Sequence, residues 1–179
     1  MTPEDTQKLY DGIRNIHDFP KPGILFKDIT PILLDPKLFR IAINHFVERC
    51  KKLQASKIAG IDARGFFFAA TVAYELGLGF VPVRKKGKLP FTTKSQAYAL
   101  EYGEAEIEIH TDAFCEGDRV VLIDDLLATG GTANAAVQLI KSVGGDVLES
   151  QFLIELTPLG GRKKLTAAPV YSILSYDED

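Results

Sequence analysis

An α/β fold with a central, mostly parallel sheet flanked by helices is the reading the sequence supports, and three observations carry it. Strand-like and helix-like patterns alternate along most of the chain after residue 35. The strand-like runs are apolar without a break, as in Val120-Val121-Leu122-Ile123, which is what a strand covered on both faces requires. Polar loops containing glycine or cations follow three of these runs, at the strand ends where open α/β sheets bind ligands. With 179 residues, 46% hydrophobic and 25% charged, the chain has the size and composition of one domain closing one core. The expected layout is a single domain over 1–179, with about 1–34 as a small N-terminal hood and about 35–179 as the core.

In order, Thr2-Pro3-Glu4-Asp5 reads as an N-cap, a first-turn proline and first-turn acids, so a helix is expected from there to about Ile16. Phe19-Pro20-Lys21-Pro22-Gly23 forces an extended or turning path and delivers Ile24-Leu25-Phe26-Lys27-Asp28 as a non-helical segment. Asp35-Pro36 opens a second helix, in which Phe39, Ala42, Ile43, Phe46, Val47, Cys50 and Leu53 keep helical spacing. A strand at 57–61, a helix at 65–76 stopped by Gly77 and a strand at 79–84 come next. Between 95 and 110 the alternation lapses, and Tyr98-Ala99-Leu100 with Ile107-Glu108-Ile109 predict an antiparallel hairpin turning near Gly103. A strand at 119–125, a helix at about 132–143 and strands at about 146–156 and 170–176 complete the order.

A net charge of −3 gives no global basic field for nucleic acid or an anionic membrane surface, so any anion site must be local. The two cysteines, Cys50 and Cys115, lack metal-ligand spacing and are expected to be structural thiols. The acidic N-terminus has no hydrophobic run behind it and no stretch is long enough to span a bilayer, so a reducing cytoplasm is the expected compartment. His17 and His45 fall on expected helices and His110 ends a strand; none has the partners of a metal site or triad.

Three loops carry the chemistry. In Asp62-Ala63-Arg64-Gly65, Arg64 stands just after a buried strand and just before a helix start, where its fork and free backbone amides can share one anion. Judged alone, it also fits a surface arginine. In Arg84-Lys85-Lys86-Gly87-Lys88-Leu89-Pro90-Phe91-Thr92-Thr93-Lys94, cations gather without a carboxylate, the pattern of a mobile polyanion-binding loop or of a solvated edge. The third, at 120–132, runs Asp124-Asp125-Leu126-Leu127-Ala128-Thr129-Gly130-Gly131-Thr132 after its apolar strand. A glycine-rich turn at a helix start can hold a phosphate while the adjacent acids address sugar hydroxyls. A nucleotide P-loop would need a lysine after the glycines, where Thr132-Ala133 stands, and no G-x-G-x-x-G is present.

This last string resembles the signature with which the type I phosphoribosyltransferases bind phosphoribosyl pyrophosphate (PRPP). Phe19-Pro20-Lys21-Pro22-Gly23, Ile58-Ala59-Gly60, Arg64-Gly65-Phe66, Arg84-Lys85-Lys86-Gly87-Lys88-Leu89-Pro90 and Leu100-Glu101-Tyr102-Gly103 resemble, in order, the adenine-specific branch of that family. The resemblance implies transfer of the 5-phosphoribosyl group from PRPP to adenine N9, giving AMP and pyrophosphate. It implies Asp124 and Asp125 on the ribose hydroxyls and Ala128, Thr129, Gly130, Gly131 and Thr132 around the 5′-phosphate. Arg64, Arg84, Lys85, Lys88 and Tyr102 would serve pyrophosphate, and Leu25, Phe26, Lys27 and Leu159 the adenine. Lys27 stands where many relatives carry arginine, and Ala63 where they carry a polar or acidic residue.

Bond breaking at C1′ builds charge on the leaving group, which implies stabilisation by Arg64, the basic loop and Mg²⁺ held mainly by substrate oxygens and water. Glu101 is the candidate for removing the N9 proton, its alternative being a pairing with a nearby lysine. A homodimer is implied by the relatives alone. The rival readings are a 6-oxopurine phosphoribosyltransferase and a non-catalytic PRPP-sensing regulator, the latter opposed by the absence of a basic face or spare length.

Overall fold

A computed structural model of the chain describes residues 2–99 and 103–177, so Glu101 and Tyr102 lie outside the described residues. The elements are α1 (Pro3–Gly12), β1 (Arg14–His17), β2 (Leu25–Asp28), α2 (Thr30–Leu34), α3 (Pro36–Leu53), β3 (Lys57–Ile61), α4 (Gly65–Leu76), β4 (Gly79–Lys85), β5 (Thr93–Ala99), β6 (Glu104–His110), β7 (Arg119–Leu127), α5 (Gly131–Ser142), β8 (Asp146–Leu156), a 3₁₀ turn (Thr157–Leu159), α6 (Gly161–Lys164) and β9 (Val170–Tyr176). The central sheet has the order β5-β6-β4-β3-β7-β8-β9. Its β4, β3, β7, β8 and β9 run parallel to their neighbours in that order, as their apolar runs require. The expected hairpin is β5 and β6, and it joins β4 antiparallel at Arg84 and Lys85.

Alternation along β3 and β7 divides the core. Ile58, Val121 and Ile123 face Phe46 of α3 and Phe68 of α4, while Ala59, Val120 and Leu122 face Val137 and Ile140 of α5 with Ile107 and Ile109 of the hairpin. Helix α3 starts where Asp35 accepts the Lys37 and Leu38 amides and ends at Gln54 in the left-handed region, and it buries the stripe from Ala42 to Cys50.

Four expectations need correction. Helix α1 stops at Gly12 instead of near Ile16, because Arg14–His17 pairs antiparallel with Leu25–Asp28. Long-range pairing overrides the local helical pattern there, and it puts His17 on a strand. Strand β7 continues to Leu127, so Leu126 and Leu127 belong to the sheet and not to the loop. The short helices α2 and α6 had no sequence signal strong enough to separate them from loops. Cys50 is buried, with its thiol pushed up to about 12 by burial, but Cys115 is exposed and packs no core.

Candidate active site

The chain leaves β3 for β4 on one side and later returns to β3's other side as β7, so the connections after β3 and β7 part at this point. Such a switch point opens a crevice at the strand ends. A cavity of about 310 Å³ lies there, walled by residues 61–64 and 124–133 with Lys85 and Tyr98. Of the residues singled out from the sequence, it brings together Arg64, Lys85, Asp124, Asp125, Ala128, Thr129, Gly130, Gly131 and Thr132. Arg84, Lys88, Leu25, Phe26, Lys27 and Leu159 are not on its wall.

At one end of the cavity α5 begins without a side-chain cap and without an acid in its first turn. Gly130 sits at φ 78°, a left-handed conformation that glycine adopts without strain, and the Asn134 amide donates to its carbonyl at 2.9 Å. That bond closes the first turn and leaves the amides at the helix start directed outward, with the positive end of the helix dipole behind them. The site is built to receive an anion without a cationic side chain.

At the other end stand the two acids. Asp124 Oδ1 accepts the Asp125 amide at 2.9 Å, and Asp125 is 4% exposed. Arg64 Nε lies 2.7 Å from Asp125 Oδ2, yet that oxygen has no hydrogen-bond partner, so the contact is an ion pair without an aligned N–H. Burial, and then the neighbouring Asp125 carboxylate, push Asp124 well above the usual carboxylate range. Burial raises Asp125 as well, against the pull of the Arg64 guanidinium. Gly65 is glycine for want of space, since a Cβ there would stand 2.6 Å from Asp124 Oδ1 and 3.0 Å from the Ile123 carbonyl.

The basic loop is shaped by carboxylates from elsewhere in the chain. Arg84 Nε meets Asp62 Oδ2 at 3.3 Å, and its Nη1 donates to the Lys88 carbonyl at 3.0 Å. Lys86 pairs with Glu106 at 2.6 Å. Glu108, 4% exposed, accepts the Lys88 and Leu89 amides at 2.9 and 2.8 Å and the Thr93 hydroxyl at 3.3 Å. Burial works to raise Glu108, but the amides of Leu89, Gly87 and Lys88 outweigh it and hold the carboxyl below its ordinary value. Lys85 is left facing the cavity.

In the hood, the Arg64 guanidinium lies 5.2 Å from the Phe26 ring centre, and Phe19 meets Phe26 edge-on at 5.1 Å. Arg64 thereby links the aromatic hood to Asp125. The Lys27 side chain turns away into the hood, where Nζ donates to Asn15 Oδ1 at 2.9 Å and lies 4.1 Å from the Tyr176 ring centre. Burial lowers its pKa. Leu159 is 41% exposed on the 3₁₀ turn after β8.

Comparison with known proteins places this geometry. The family described as the phosphoribosyl transferase domain matches residues 32–174. The adenine phosphoribosyltransferase of Methylobacterium nodulans is 52% identical over 179 residues, covering 99% of each chain. The crystal structure of the Rhodothermus marinus adenine phosphoribosyltransferase superposes with a TM-score of 0.92 at 48% identity, covering 98% of this chain and 100% of that one. The Saccharomyces cerevisiae adenine phosphoribosyltransferase, solved with adenine and an imino-altritol bisphosphate, gives 0.91 at 40% identity, covering 97% and 100%. The chain belongs to the adenine phosphoribosyltransferase family.

Within this adenine phosphoribosyltransferase framework, four residues escaped sequence reasoning, two on the cavity wall, Asp62 and Tyr98, and two that shape the loops beside it, Glu108 and Gly161. Asp62 had a legible signal, since it opens the same short loop as Arg64. Tyr98 lines the cavity from the hairpin, whose sequence says only that it alternates. Glu108 sits in the middle of β6, where a buried carboxylate reads as part of a polar strand face. Gly161, whose backbone abuts Gly130, lies across a connection that only the folded chain brings near.

Proposed function

We propose that the chain transfers the 5-phosphoribosyl group of PRPP to N9 of adenine, giving AMP and pyrophosphate. The carrying observation is the switch-point cavity that joins an uncapped helix start to two adjacent acids, of which Asp125 is buried and Asp124 partly so, and a cation, in a chain of this family. The amides around 128–132 receive the 5′-phosphate, and Asp124 and Asp125 accept from the ribose hydroxyls. Ionised acceptors are needed for that, and donors from the ribose would offset the burial that now raises both carboxyls.

Arg64 and Lys85 serve the pyrophosphate, a reading supported by both lining the same cavity as the acids and the start of α5. Their charge is most useful as the bond to C1′ breaks, when negative charge grows on the leaving oxygen. Arg84 and Lys88 act from behind the cavity wall by shaping the loop. Phe26 stacks on the adenine, Leu25 and the Lys27 backbone meet its edge, and Leu159 covers its far side. The Lys27 ammonium is already engaged by Asn15. Glu101 takes the N9 proton and Tyr102 closes over the reaction centre.

Magnesium fits the donor set in a limited way. Among the described residues no group of three or more carboxylate, histidine or cysteine side chains could cage an ion. Asp124 and Asp125 offer hard oxygens at the cavity wall, among them Asp125 Oδ2, which Arg64 meets as an ion pair without a hydrogen bond, and this suits an ion that arrives on substrate oxygens and keeps several waters. Bound there, Mg²⁺ would supply positive charge to the pyrophosphate and ribose oxygens.

The working form is a cytoplasmic homodimer. Phe67 and Tyr74, 50% and 84% exposed on the outer face of α4, are aromatic surface that a second copy would cover. No helix of the described residues is long and apolar enough to cross a membrane.

The test is AMP and pyrophosphate formation from adenine, PRPP and Mg²⁺, with the Asp124→Asn, Asp125→Asn double variant alongside. AMP from the parent and its loss in a folded variant is the expected result. A parent that binds PRPP yet forms no nucleotide would favour a sensor over an enzyme.

A further inference from the structure

Behind the phosphate loop lies a polar cluster that the reaction does not touch. Two stretches of backbone meet there with no side chain between them. A Cβ on Gly130 would stand 2.5 Å from the Gly161 carbonyl oxygen, and one on Gly161 would stand 2.2 Å from the Ala128 carbonyl oxygen and 3.0 Å from the Gly130 nitrogen. At such spacing any displacement of Gly161 displaces 128–130, because close-packed backbone transmits strain.

What fixes Gly161 is the next residue. The Arg162 guanidinium forks onto Glu155, with Nε donating to Oε1 at 2.9 Å and Nη2 donating to Oε2. Its Nη1 donates to the Val170 carbonyl at 2.6 Å and Nη2 to Ser172 Oγ at 2.9 Å, while the Ser172 hydroxyl donates to Glu155 Oε2. Glu155 is 4% exposed near the end of β8, and Val170 and Ser172 belong to β9. One arginine thus ties α6 to two strands of the central sheet. Only a planar fork can make these bonds together; an ammonium at the same place cannot.

We propose that Glu155 and Arg162 are positioning residues for the 5′-phosphate, acting through Gly161 to hold the backbone of 128–131 in the shape that receives it. The inference rests on the reading of that loop as the 5′-phosphate site. It separates two ligands that a general loss of structure would not separate. Ribose 5-phosphate carries the 5′-phosphate and lacks pyrophosphate, whereas inorganic pyrophosphate, on the same reading, goes to Arg64 and Lys85 and does not need the 128–131 backbone.

The experiment is calorimetric titration of the full chain with ribose 5-phosphate and, separately, with inorganic pyrophosphate and Mg²⁺, for the parent and Arg162→Lys. The variant is expected to weaken ribose 5-phosphate about tenfold and pyrophosphate less than about twofold, and to raise KM for PRPP about tenfold with kcat within about threefold, the pattern of lost uniform binding. Gly161→Ala, which leaves the Arg162 fork in place and pushes a methyl onto Ala128, should show the same selectivity with a larger loss. Equal weakening of both ligands, or no change in either, overturns the proposal. Should Arg162→Lys fail to fold, Glu155→Gln decides in its place, since it keeps the size of the side chain and one acceptor but breaks the charged fork: selective weakening of ribose 5-phosphate supports the proposal and its absence overturns it. A parent that binds pyrophosphate but not ribose 5-phosphate would instead remove the reading of the loop itself.

Discussion

The two ends of the candidate site, the loop at 128–132 and the loop at 84–89 that reaches the cavity wall through Lys85, are built on opposite principles. The loop at 128–132 has no cation and no cap, and it presents backbone amides whose geometry is fixed by glycine and by contact with Gly161. The loop at 84–89 is rich in cations, and three carboxylates, Asp62, Glu106 and Glu108, hold it in shape. Backbone amides cannot move without moving the fold, so that end offers a rigid seat. Side-chain cations on a loop reorient and are screened by salt, so the other end suits a group that must bind and then leave.

The largest effect should follow from disturbing the rigid end. Gly130→Ala forces a left-handed φ on a residue with a Cβ and drives that Cβ to 2.5 Å from the Gly161 carbonyl oxygen. We expect kcat/KM for PRPP to fall by about 100-fold or more, the cost of a displacement near 1 Å at a reacting site, with no recovery or further loss as salt is varied. Steady-state kinetics at low and high ionic strength check both parts. Next comes the cationic end: Lys85→Ala removes one exposed charge from the cavity and should raise KM for PRPP about tenfold at low salt, a difference that shrinks toward about 0.5 M salt. A Lys85 effect that ignores salt would break the contrast between the two ends.

Glu108→Gln should act more weakly, raising KM for PRPP about threefold, because the amide oxygen still accepts from the Lys88 and Leu89 amides, and what is lost is the charge and the acceptor for the Thr93 hydroxyl. The smallest effect is on stability. Asp124 carries a carboxyl raised in the fold above its ordinary value of 3.8, so the native state binds that proton more tightly than the unfolded chain. Stability is therefore fullest below that value and is lost as pH climbs through the folded pKa. Asp124→Asn cannot ionise, so its Tm should exceed the parent's by about 2–4 °C at neutral pH, the shift about 1 kcal/mol gives in a chain of this size, and the advantage should vanish in acid. Calorimetry across pH reads this directly, with activity lost in the same variant.

The same contrast explains what the sequence made legible. The rigid end is contiguous in the chain, so the apolar strand, the paired acids and the glycines of 120–132 could be read as one object. Arg64 was legible for a similar reason, standing between a buried strand and a helix start. The cationic end was legible only in its charge, because the carboxylates that shape it come from β6 and from the loop after β3. Gly161 and the Glu155–Arg162 fork lie further still from the motif they support. The hood misled in its first turn, since Arg14–His17 takes its strand form from pairing with β2 and not from its own pattern. Lys27 was read as an adenine contact next to Phe26, and β-strand alternation turns its side chain to Asn15 and Tyr176, leaving its backbone for that role.

The most direct test of the central claim is a competition among bases. Equimolar adenine, hypoxanthine and guanine would be supplied with limiting PRPP and Mg²⁺, and the nucleotides and pyrophosphate separated and counted. The account predicts AMP as the dominant nucleotide, with one pyrophosphate released for each, and loss of both on Asp124→Asn, Asp125→Asn. Predominance of IMP or GMP would contradict it.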